Sequence, residues 1–307
     1  MACLLLGSAG CSLGPILSYD TVPWPEERIL KDLPYWDGDG ADAEKHRLDL
    51  YLPSASLGGG WPTLIFIHGG GWTDGDKDLE AYGRDVYSNI GRLYASKGIG
   101  TAVINYRLQP SVGWREQVRD VARAVAWVHR NIAEHGGDPG SIFATGHSAG
   151  AYFSAFVALA PWPLEEQGLG PQVLCGVAPV SGVAFDLEDE ETWRLGAALE
   201  YYEIRFAPGE GDDWRKTTSV VTHLSRSAPP FFIAYADGEW PALQHQNRLL
   251  GERLREAGAS VQMWVVEEQG HRQMAATLSQ DDEALTGELA RFVQDTPCTE
   301  AASGTPP

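Results

Sequence analysis

The sequence is short of positive charge. Only 23 Lys and Arg stand against 42 Asp and Glu, a formal net charge of −19. Nucleic acid requires a basic footprint, so that class of partner is excluded. Cysteine is scarce as well. Cys3, Cys11, Cys175 and Cys298 contain no CxxC pair, so spacing suggests neither a disulfide framework nor a zinc site. Cys175 lies in the apolar run VLCGVAPV and reads as a buried thiol. Beyond the N-terminal segment, no stretch reaches the ~20 apolar residues of a membrane span. There is no internal repeat and no long low-complexity linker. What is plentiful is aromatic: 11 Trp and 11 Tyr exceed the needs of a core, so some should line a cleft or lid.

The two ends read differently from the middle. MACLLLGSAGCS resembles the end of a bacterial lipoprotein signal, which would put a lipid anchor on Cys11 and make the chain a cell-envelope lipoprotein or a secreted protein. It departs from that pattern in having no Lys or Arg before the apolar run, and Ser8 where a larger aliphatic residue is usual. The other reading of residues 1–19 is an ordinary apolar segment on a cytoplasmic protein. The small polar tail, 298–307, reads as disordered. Residues 20–297 form the domain between them, and their sequence says nothing of oligomeric state.

Within that domain, short β-branched or aromatic runs alternate with helical patterns. Candidate strands are 27–36, 47–53, 63–68, 101–106, 141–146, 174–180, 231–236 and 261–266. The first two alternate in polarity and suit an antiparallel edge; the later ones are continuous apolar runs, as in strands buried on both faces. Residues 114–134 place Val118, Val121, Val125, Val128 and Ile132 at helical steps, and Gly136-Gly137 stops the pattern. Residues 243–257 and 281–293 read likewise. This order predicts an α/β fold with a mainly parallel sheet of about eight strands. From 181 to 230 no strand is evident; an acidic patch and an aromatic cluster including Trp193, Tyr201, Tyr202, Phe206 and Trp214 suggest a small cap over the C-terminal edge of the sheet.

Two motifs carry the chemistry. ATGHSAGAYF, 144–153, contains G-x-S-x-G between an apolar strand and a helical run, the context of a nucleophile elbow with Ser148 at its tip. FIHGGGWTDG, 66–75, follows the third strand and lacks the GKS or GKT ending of a phosphate loop. Its glycines can aim backbone N–H groups at a developing oxyanion. The amides of Gly70, Gly71 and Ala149 are the expected donors. His68 and Trp72 are expected to buttress this loop, with Trp72 also a candidate substrate contact. A hydroxyl nucleophile beside such donors means acyl transfer, which requires no metal or organic cofactor.

HGGGW, NYRLQP, NIAEHGGDP, GHSAGA and QGH occur here in the order found in α/β-hydrolase carboxylesterases. The chain resembles the branch with feruloyl-type esterases, kynurenine formamidase and prenylcysteine methylesterase, from about residue 28 to residue 293. It departs from hormone-sensitive-lipase-like enzymes at the elbow, where His147 replaces their usual Asp. The resemblance implies the α/β-hydrolase fold and a triad in the order Ser, acid, His. His271, in EEQGHRQM after the last strand, is then the base. The acid lies in IAYADGEWP, 233–241. Asp237 precedes Gly238, where capping a turn is its natural job; GEWPALQHQ resembles the family segment with Glu239 in the acid slot. Glu239 is therefore expected, with Asp237 as the alternative. Arg107 and Asp120 are expected to form a structural pair. The implied activity is serine carboxylesterase on short to medium acyl esters. An amidase such as kynurenine formamidase, a peptidase, and a non-catalytic binding protein on the same fold are the alternatives.

Overall fold

The computed structural model describes residues 20–54, 60–81, 84–281 and 284–298. The expected N-terminal segment, with its lipid anchor at Cys11, and residues 299–307 of the expected tail lie outside the described residues.

Eight strands form one sheet: β1 (Ile29–Pro34), β2 (Arg47–Tyr51), β3 (Trp61–Ile67), β4 (Gly100–Ile104), β5 (Gly137–His147), β6 (Gly176–Val180), β7 (Phe231–Ala236) and β8 (Val261–Val266). Their spatial order is β1-β2-β4-β3-β5-β6-β7-β8. β2 pairs antiparallel with both β1 and β4, and all later pairings are parallel. The alternating strands thus lie at one edge and most of the continuous apolar ones in the middle, as their patterns predict; β8 is the exception, forming the far edge, where among the described residues it pairs only with β7 and stays partly exposed.

The middle strands are apolar throughout because both faces are covered. In β3, Ile65 and Ile67 enter one core, while Leu64 and Phe66 enter the other. The first core holds α2 (Trp114–Asn131) and α3 (Ala149–Leu159); the second holds α1 (Val86–Ser96) and α7 (Ala284–Asp295). All eleven residues of α3 are buried, so the helix behind Ser148 is enclosed on every side. α2 passes into a short 3-10 turn and ends at Gly136, whose φ of 98° is the left-handed cap the sequence signals. Buried Asp120 on α2 accepts both Arg107 donors at 2.8 Å and lies 2.9 Å from His46 Nε2. Burial alone would raise its carboxyl pKa, but the hydrogen bonds from His46 and Arg107 outweigh that and hold it below the usual range.

Between β6 and β7 the described chain forms no strand. It contains short helices at Glu190–Arg194 and Trp214–Thr218, with α4 (Leu199–Phe206) between them. Phe206 packs on Trp72 and Tyr152, with ring centroids 4.9 and 5.3 Å apart. Arg115 of α2 holds Glu210 by a 2.7 Å hydrogen bond. The segment is therefore fastened to the body by both apolar and ionic contacts.

One expectation is corrected. Cys175 is not a free thiol but is disulfide-bonded to Cys298. The two are 123 residues apart, so spacing carries no sign of the bond. Packing brings them together: Phe292 of α7 packs edge-to-face with Phe143 of β5 and closes over Gly176, delivering the end of α7 to the start of β6. Such bonds persist in oxidising compartments.

Candidate active site

Ser148 sits between β5 and α3 with φ 59° and ψ −118°, a conformation costly for a side-chain-bearing residue. Its own N–H is anchored on the Val180 carbonyl at the end of β6. The turn is closed so tightly that a Cβ on Gly146 would lie 2.4 Å from the Gly150 carbonyl carbon, and one on Gly150 only 2.0 Å from the Ile67 carbonyl oxygen. Both glycines are thus required by contact with neighbouring backbone, as the G-x-S-x-G spacing predicts.

The HGGGW loop lies directly against this turn: a Cβ on Gly69 would come 3.3 Å from Ser148 Cβ. The Gly70 carbonyl accepts the Thr73 and Asp74 amides, curling the loop back on itself. Among the described residues, the amides of Gly70, Gly71 and Ala149 donate to no internal acceptor. Ala149 opens α3, where the first-turn N–H groups have no intrahelical partner. His68 is buried and stacked on Tyr106 at 4.3 Å, and the Tyr106 hydroxyl donates to the His68 carbonyl. Burial pushes its imidazole pKa down to about 4. Trp72 is only 1% exposed and packs against Tyr152, Tyr202 and Phe206. It buttresses the loop from beneath. Its ring, expected also as a substrate contact, has no face open to solvent in this structure.

His271 opens α6 (His271–Thr277) after β8. Its Nε2 lies 2.9 Å from Ser148 Oγ and its Nδ1 3.2 Å from Glu239 Oε1. The Glu239 side chain is fully buried, whereas that of His271 keeps 15% exposure. Asp237, two residues earlier, points elsewhere: its Oδ1 accepts the Glu268 amide at 2.8 Å, across the turn between the two loops. Gln244 on α5 (Pro241–Glu256) donates to the carbonyls of both Asp237 and Glu239 at 2.8 Å, which fixes the path of the loop carrying the two carboxylates.

Three contacts were not foreseen from the sequence. His147 Nε2 lies 2.8 Å from the His271 carbonyl, tying the elbow to the start of α6. Burial, reinforced by the neighbouring charge of His271, pushes the His147 pKa down to about 3. The imidazole is therefore neutral, and its Nε2–H donates. From α4, Arg205 donates to the Gly71 carbonyl at 2.9 Å. Tyr201 covers the same glycine, its hydroxyl 2.3 Å from where a Cβ on Gly71 would stand. No spacing rule joins residues 71 and 205; only the aromatic excess hinted that this segment meets the site. A polar cavity of about 460 Å³, lined by Asp32, Asp76, Lys77, Asp78 and Asn105 among others, includes none of these residues. Lys77 there is already paired with Asp32, Asp49 and Asp78.

The BD-FAE family profile matches residues 48–167. The chain is 32% identical to esterase LipQ of Mycobacterium tuberculosis over 254 residues, covering 80% of this chain and 58% of LipQ. Among solved structures, it matches esterase B of Lactobacillus Rhamnosis with a TM-score of 0.71 at 20% identity, covering 92% of this chain and 89% of that one.

The chain has the α/β-hydrolase fold.

The chain spans little more than half the length of the first curated relatives it matches, 58% of LipQ and 54% of the probable carboxylic ester hydrolase LipM. A relative it covers more fully is the kynurenine formamidase of Danio rerio, 26% identical over 269 residues, 87% of this chain and 82% of that protein.

Proposed function

We propose that the protein is a serine carboxylesterase that hydrolyses short to medium acyl esters through an acyl-enzyme. The observation carrying this reading is the chain of contacts from Ser148 Oγ through His271 to buried Glu239, at 2.9 and 3.2 Å. His271 Nε2 takes the hydroxyl proton as Ser148 attacks the ester carbonyl. The amides of Gly70, Gly71 and Ala149 receive the oxyanion, each donor being worth ~3 kcal/mol in the transition state. Glu239 fixes the His271 tautomer and stabilises the imidazolium. Collapse passes the proton to the leaving alcohol, and water then releases the acid by the same steps. Relatives named as esterases agree with this chemistry. The preference for short chains draws support from α4, whose Tyr201 and Arg205 crowd the oxyanion loop at Gly71.

Ser148→Ala should lower p-nitrophenyl acetate turnover at least ~10³-fold in pure, folded protein. Undiminished turnover would remove Ser148 from the mechanism. A p-nitrophenyl ester series should peak at short to medium acyl chains, and a maximum at long chains would overturn the acyl preference.

Amide hydrolysis by the same triad is the second reading. It is favoured by the coverage of the kynurenine formamidase relative, which exceeds that of LipQ. Comparing N-formylkynurenine with p-nitrophenyl acetate decides between them: a higher kcat/KM on the formamide would displace the ester reading.

A further inference from the structure

Ten of the eleven tryptophans pack into one of the two cores; Trp240 enters neither. It is 42% exposed, and its ring lies beside that of His271, with centroids 5.8 Å apart at 39°. Its backbone is rigidly held. The Trp240 carbonyl accepts the Leu243 and Gln244 amides at the start of α5, and Pro241 follows it. An indole on this anchored backbone, half in solvent and beside the proposed base, is an unused apolar surface at a defined point of the reaction path.

We infer that Trp240 is the leaving-group subsite, a stacking platform for esters of aromatic alcohols. The inference rests on the esterase reading above and adds the alcohol side of the substrate to it. When the tetrahedral intermediate collapses, the bond between the carbonyl carbon and the alcohol oxygen breaks. The proton on His271 Nε2 moves to that oxygen, giving neutral alcohol and acyl-Ser148. The leaving oxygen must then stand within hydrogen-bond reach of Nε2, ~3 Å. Whatever that oxygen carries begins beside the imidazole, and a flat ring one carbon further on reaches the indole. Aromatic pairs favour centroid separations of ~4.5–7 Å in tilted or offset arrangements, a range open to a ring laid on the exposed indole face. Tyr201 of α4 covers Gly71 of the oxyanion loop, whereas Trp240 lies beside His271.

Trp240 therefore acts in acylation, where alcohol is present, and not in deacylation, where water takes its place. The test is kcat/KM on benzyl acetate and methyl acetate, which share one acyl-enzyme, for the wild type, Trp240→Ala and Trp240→Phe. The deacylation rate of the acetyl-enzyme is measured alongside. The benzyl-to-methyl ratio should fall about tenfold in Trp240→Ala and largely recover in Trp240→Phe. The loss on benzyl acetate should exceed any loss in deacylation by the same factor. Equal losses on both esters and in deacylation would make Trp240 a support for His271 and overturn the inference, as would an unchanged ratio. An unchanged ratio beside an inactive Ser148→Ala overturns this inference alone. Ester turnover that survives Ser148→Ala overturns the esterase reading, and this inference with it.

Discussion

The elbow and the acid loop deliver side chains to one point by opposite means. Around Ser148, backbone meets backbone: Gly146, Gly150 and Ile67 approach so closely that no Cβ fits, and α3 behind them is buried along its whole length. At the acid loop, two carboxylates stand two residues apart, and side-chain bonds sort them. Gln244 grips the loop, the Glu268 amide takes Asp237, and Glu239 is left buried against His271. A site held by contact leaves its mark in which residues are allowed, whereas a site held by polar bonds leaves alternatives that only distance resolves.

The contrast can be broken most severely at the elbow. Gly150→Ala would drive a Cβ to within 2.0 Å of the Ile67 carbonyl oxygen. It should cost on the order of 4 kcal/mol or more, and abolish soluble folded protein or ester turnover, as read by thermal melting and p-nitrophenyl acetate hydrolysis. A variant that melts like the wild type would show the elbow to be looser than described.

At the acid loop, the effect should fall on one carboxylate. Glu239→Gln should lower kcat ~10³–10⁴-fold while leaving the melting temperature nearly unchanged. Asp237→Asn should lower kcat less than ~10-fold and cost about 1 kcal/mol through its weakened bond to Glu268. Kinetics of the two purified variants decide the matter, and the reverse ranking would transfer the acid's role to Asp237.

The elbow and the glycine loop packed against it also carry a pH signature. His147 and His68 have pKa values near 3 and 4 when folded, against a reference of 6.5. As pH falls, the unfolded chain protonates first. Their contribution is complete above pH 6.5 and is lost between there and about pH 3–4. Each histidine contributes a slope of about 1.4 kcal/mol per pH unit within that window. His147→Asn should flatten the decline in denaturant-derived stability between pH 6 and 4 by that amount, and an unaltered slope would place the titration elsewhere. The mildest change is Gln244→Ala, which frees the Asp237 and Glu239 carbonyls. It should cost about 1–2 kcal/mol and a few-fold in kcat; an effect on KM alone would detach Gln244 from the placement of Glu239.

The same division separates what could be read in the sequence from what could not. Strand runs such as TLIFI in β3 and the paired glycines around Ser148 were legible because packing on both faces, or contact at a tight turn, permits few residue types. His271 was legible by its place after the last strand and by resemblance. Asp237 and Glu239 share a strand parity, so periodicity cannot separate them. Arg205 reaches Gly71 across 134 residues, and Cys298 reaches Cys175 across 123. Contacts of that range depend on how the whole chain packs and leave no local spacing. Trp240 stood in plain view beside the acid, but a sequence does not reveal which of eleven indoles will stay outside both cores.

The account rests on a nucleophilic Ser148 activated through His271 and Glu239. Peptide mapping by mass spectrometry after reaction with a fluorophosphonate tests it most directly. The account predicts one adduct, on the peptide carrying Ser148, formed far more slowly in Glu239→Gln than in Asp237→Asn. An active esterase that takes no adduct there, or takes it on another residue, would contradict it.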